Sequence, residues 1–168
     1  MMNEVELGDF YRRIGAALYH IQYLEDVLVS FLTMKIIHEC RCAGQTVTTA
    51  DAQTLLAEKR RMLTLGSLVE SCLSKKIIQP EHLGRIKAFK GERDWLVHRS
   101  LIENGDDLYV RATRDAVFSR ITAIQEEAMS LKKVTVTDFE RWAAAHGMDV
   151  NAAEDQAKEA LRKLNNQS

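Results

Sequence analysis

Arg93, Asp94 and His98 are the residues whose types and spacing could do chemistry together. They lie in Lys87-Ala-Phe-Lys-Gly-Glu-Arg-Asp-Trp-Leu-Val-His-Arg-Ser100, which reads as a helix. At about 100° per residue, Leu83, Ile86, Phe89, Leu96, Val97 and Leu101 share one apolar side. Arg93 falls near the middle of that stripe. A guanidinium stays charged in a protein, so it must meet a carboxylate, line a polar groove or receive an anionic ligand. His98 lies about 140° around the helix from Arg93 and ~7.5 Å along it. Asp94 precedes His98 by one turn, where a carboxylate can hydrogen-bond an imidazole. A fixed cation, a titratable ring and an orienting acid suit proton transfer beside a developing anion.

The elements that must position these groups read as helices. The 168 residues contain one proline and eight glycines, with abundant Ala, Leu, Glu, Lys and Arg. Such a chain favours a single, mostly helical domain. A formal charge of −1 sets up no global field toward nucleic acid or acidic membranes, so any such site is a local patch. The acidic start lacks the basic and apolar regions of a signal peptide, and the apolar run from Val27 to Ile37 is broken by Ser30, Thr33 and Lys35. Three cysteines imply no disulfide framework. A cytoplasmic, reduced protein with no membrane partner is the expectation.

In chain order, Phe10, Ile14, Ala17, Ile21, Leu24, Leu28 and Phe31 step by four and three, predicting a helix over about 9–39. Gly44 and a Thr-rich loop follow, then a second helix over about 50–75. Its Glu58-Lys59-Arg60-Arg61 run reads as a solvated face. Pro80 starts the third helix, which carries the motif to about residue 101. Residues 101–110, around Asn104-Gly105, read as a small hairpin or an irregular loop. A fourth helix is expected over about 114–133, stopped by the β-branched run Val134 to Thr137. Capping boxes at Thr137–Glu140 and Asn151–Glu154 predict two further helices, ending at Gly147 and near residue 164. The fold class is therefore all-α. Residues 1–135 form the bundle and 136–168 a helical extension of the same domain.

Arg93-Asp94-Trp-Leu-Val-His98 has the form Arg, polar residue, three more, His. On the third long helix of a small all-α chain this resembles the HEPN superfamily. The resemblance implies a four-helix bundle that dimerises and brings two such motifs together across a two-fold axis. It also implies a metal-independent endoribonuclease, without a cofactor, in a toxin–antitoxin, phage-defence or RNA-processing setting. An antitoxin or nucleotidyltransferase partner belongs to the same expectation. Under it, His98 transfers protons as the 2′-hydroxyl of RNA attacks, Arg93 stabilises the phosphorane and Asp94 holds the His98 ring. Lys87, Lys90 and Arg99 hold flanking phosphates. The 140° offset fits a site shared across a dimer. Ser100 stands where related toxins carry a modified tyrosine, which argues against that mode of control.

Plainer readings stand beside these. Arg93 could be a structural arginine paired with Glu25 or Asp26 of the first helix, in a non-catalytic helical dimer serving as a scaffold. Trp95, about 180° from the stripe's centre, reads as an inter-helix or dimer contact. Arg141-Trp-Ala-Ala-Ala-His146 repeats the Arg–His spacing without the polar second residue, and His146 suits a helix C-terminus. His38-Glu-Cys40-Arg-Cys42 offers three soft metal ligands and would need a fourth, from Cys72 or another chain.

Overall fold

A computed structural model describes residues 4–148 and Arg162, and every regular element among them is helical. The two longest are α1 (Glu4–Cys42) and α6 (Arg111–Ala145). Glu6 meets Arg114 and Arg13 meets Thr122, at separations of 108 and 109 residues. Phe10 stacks on Phe118, Phe31 touches Phe139 and His38 touches His146. A constant offset over this length means that α1 and α6 lie side by side and run in the same direction. Their shared seam is the core: Ala17, Ile21, Leu24 and Leu28 from α1, and Val117, Ile121, Ile124, Ala128 and Leu131 from α6, are all buried. The α1 residues are at positions the periodicity predicts.

Between the long helices come α2 (Thr49–Met62), α3 (Leu65–Ser74), α4 (Pro80–Asp94) and the short α5 (Ser100–Asn104). The helix expected over 50–75 is thus two. Leu63 is extended, and Thr64, also extended, restarts the chain by accepting a hydrogen bond from the Ser67 N–H. The break lets α3 bury Leu65, Leu68, Val69 and Cys72, while α2 buries nothing fully and ties to α1 through Arg60 and Asp26, 2.7 Å apart. Helix α3 ends where Ile77 N–H reaches the Cys72 carbonyl (2.8 Å) and Lys76 N–H that of Leu73 (3.0 Å). This puts Lys76 at a φ of 52°, where glycine is usual. Lys35 of α1 donates to the carbonyls of Lys75 and Lys76, covering the negative end of α3.

Two further expectations are overturned. Residues 101–110 form no hairpin: α5 is followed by a 3₁₀ turn, Asp106–Tyr109, and no strand occurs among the described residues. Gly105 is helical (φ −56°), whereas a two-residue hairpin turn needs positive φ. Nor does the run Val134 to Thr137 stop α6. The run stays helical with Thr135 packed in the interior, and the Thr135 and Thr137 hydroxyls donate to carbonyls four residues back, at 2.9 and 3.1 Å. The helix ends at Gly147 (φ 70°), as its sequence predicts. The helix expected from Asn151 to about residue 164 lies outside the described residues apart from Arg162. No helix among the described residues is long and apolar enough to cross a membrane.

Candidate functional site

Helix α4 carries Arg93 and Asp94 and then widens. Residues Trp95–Arg99 form a π-helical turn in which Ser100 N–H bonds the Trp95 carbonyl, and the Ser100 hydroxyl bonds that of Leu96 at 2.8 Å. A five-residue step advances less around the axis than an α step, so the face shifts. Trp95 and Leu96 both turn inward, at 1% and 4% exposure. Val97 and Leu101, expected on the apolar side with Ile86 and Phe89, turn outward instead. Trp95 is an inter-helix contact, one of the two roles expected of it.

What holds Trp95 is Arg120 of α6. Its guanidinium lies 3.7 Å from the ring centre and forks onto Glu92 at 2.7 and 2.9 Å. That hydrogen bonding keeps the Glu92 carboxyl below the usual range and raises Arg120. One heptad away, Arg85 forks onto Glu127 at 3.0 and 2.9 Å. The antiparallel pair α4–α6 is therefore clasped twice, with the charges reversed between clasps. The sequence reading missed both. Its available signal was the matching seven-residue spacing, Arg85 to Glu92 and Arg120 to Glu127.

Arg93 is held on its own chain. Its side chain is 23% exposed, with Nη2 3.5 Å from Glu25 Oε1 of α1 and Nη1 3.2 Å from Asp94 Oδ1. Arg93 Nε and Glu25 Oε1 are buried without a hydrogen-bond partner among the described residues. The two groups meet as charges rather than through an aligned bond. Burial pushes the Glu25 carboxyl above its ordinary value, against the opposing pull of the Arg93 charge.

Asp94 does not hold His98. Its neighbours are Arg93 and, at 3.5 Å, Lys90 Nζ. The expectation assumed an unbroken α helix, and the π turn removes that geometry. The His98 side chain is exposed and, among the described residues, makes no hydrogen bond or ion pair. Of the proposed phosphate ligands, Lys87 is exposed, Lys90 is drawn to Asp94 and Arg99 to Glu103 at 3.3 Å. Val97, beside His98, and Leu101 and Ile102, one turn on, are exposed, as are Tyr109 and Val110; Leu7 and Tyr11 share a cleft with Leu101 and Tyr109.

The second Arg–His spacing is accounted for structurally. Arg141 pairs with Asp138 at 2.9 Å, and His146 Nδ1 donates to the Trp142 carbonyl at 2.7 Å while packing on Trp142 and His38. Cys42 Sγ lies 3.4 Å from His38 Nε2, and Cys72 is buried in the core. Among the described residues no group of three or more His, Cys, Asp or Glu could hold a metal ion. No family model, curated protein or solved structure matches the chain.

Proposed function

We propose that the chain is a HEPN-type, metal-independent endoribonuclease acting as a homodimer, in a toxin or phage-defence role. The observation that carries this reading is the π-helical turn Trp95–Arg99, which follows Arg93 and contains His98. Such turns are frequent at functional sites. A wider turn of this kind reduces the about 140° that separates residues five apart on a regular helix, and the His98 imidazole is exposed. Arg93, positioned by Glu25 and Asp94, supplies a fixed positive charge for a pentacoordinate phosphorus. His98 moves the proton to or from the 2′-hydroxyl or the leaving oxygen. Asp94 acts through Arg93 rather than through the ring. The exposed Val97, Leu101 and Ile102 are what a second subunit would cover, bringing two motifs together.

A second reading has its own support. Arg93 already meets two carboxylates of its own chain, as a structural arginine in a non-catalytic helical dimer would. Expression of the wild type, His98→Ala and Arg93→Ala, with purified protein then incubated with RNA and a chelator, separates the two. A nuclease arrests growth and yields 2′,3′-cyclic phosphate ends, and both variants lose both effects. A scaffold leaves RNA intact, and His98→Ala leaves its self-association unchanged.

A further inference from the structure

Away from Arg93 and His98, the first turns of α1 and α6 bound an open cleft of about 690 Å³. Four arginines line it, Arg12 and Arg13 from α1 and Arg111 and Arg114 from α6. Three carboxylates face them: Glu6, Asp9 and Asp115. Four cations against three anions leave this cleft at +1 on a chain whose formal charge is −1.

Two of the carboxylates hold three of the arginines without exhausting them. Asp9 divides its two oxygens between Arg12 and Arg13, and Glu6 takes Arg114 at 2.8 Å. Each guanidinium offers five N–H donors, so these bonds set the forks in place and leave donors over. Arg114 is buried, so its position is set by the fold rather than by solvent. Arg111 and Asp115, among the described residues, make no ion pair. The start of α6 adds to the imbalance. It has no acid in its first turn and no side-chain cap, yet carries Arg111 and Arg114 at the end where the helix dipole is already positive. An anion in the cleft would relieve this. Planar forks match the oxygens of phosphate, and the volume exceeds that of one phosphate group.

We propose that this cleft, lined by Arg12, Arg13, Arg111 and Arg114, binds consecutive phosphate groups, carried by a free polyphosphate or by a nucleic-acid strand. The site does not depend on the nuclease reading.

Tripolyphosphate titrated calorimetrically into the full chain at low salt tests it. Saturable binding is expected, weakened about tenfold or more by Arg111→Glu and by Arg12→Ala. His98→Ala and Lys87→Ala bind as wild type, which separates this cleft from the motif. Competition by an oligodeoxythymidylate, which lacks the 2′-hydroxyl, assigns the phosphates to a strand; absence of competition assigns them to a free polyphosphate. Either result supports the site. Should Arg111→Glu lose its helical circular dichroism, Arg111→Lys replaces it and is expected to bind at intermediate strength. No binding at millimolar tripolyphosphate, wild-type binding by the arginine variants, or loss in Lys87→Ala overturns the proposal.

Discussion

Arg93 Nη2 stands 3.5 Å from Glu25 Oε1, joining the motif helix to α1 at a point where both groups are mostly covered. Removing the cation leaves a half-buried carboxylate with no opposing charge. Arg93→Ala is therefore expected to lose about 1–3 kcal/mol in urea unfolding. Wild-type stability in that variant would mean that the pair is idle.

The same pair gives a pH dependence of definite sign. Burial raises the folded-state Glu25 carboxyl above its ordinary 4.5, so the folded chain holds this proton more tightly than the unfolded one. The stability it contributes is complete below the unfolded value and is lost as pH rises through the folded one. Glu25→Gln removes the titration. Its melting temperature relative to wild type should be higher at pH 7 than at pH 4. An unchanged difference between the two conditions would contradict the assignment.

Arg120 closes the outer side of Trp95 and is itself fixed by Glu92. In a Trp142→Phe background, Arg120→Ala should shift the remaining indole emission to the red and cost about 1–3 kcal/mol. The clasp should also loosen in acid. Glu92 is held below its ordinary value, so its contribution is present above the unfolded pKa and disappears as pH falls through the folded one.

Lys76 occupies a left-handed conformation at the end of α3. Lys76→Gly relieves the Cβ crowding there and is expected to gain about 1 kcal/mol in chemical denaturation. A loss instead would show that the lysine side chain contributes more than its backbone costs.

The three cysteines should separate by reactivity. Burial pushes the Cys72 thiol up to about 12, while Cys42 is exposed and Cys40 partly so. Maleimide should label Cys42 first and Cys72 only after unfolding, with mass spectrometry as the readout.

The helices themselves were legible because their apolar residues recur at fixed steps, as Ala17, Ile21, Leu24 and Leu28 do. Arg93's partner was legible as one of two acids because Glu25 and Asp26 both flank the same apolar face. The π turn was not, since the Trp95 that it turns inward is covered by Arg120, a residue on another helix. The break before Thr64 was hidden because Leu63 and Leu65 fit a continuous helical period. A capping threonine competes with that period only through local hydrogen bonds. The β-branched run in α6 misled in the opposite direction. Its hydroxyls bond backward along the helix, and packing of Thr135 outweighs propensity.

The shared direction of α1 and α6 has a consequence for biosynthesis. Their contacts join residues 108 or 109 apart, so a ribosome making about 5–20 residues per second releases α1 roughly 5–20 s before its companion. For that interval the side of this 39-residue helix that faces α6 has no final neighbour. Closing so distant a contact late also slows folding. A nascent chain of this design is one that holdase chaperones would meet early.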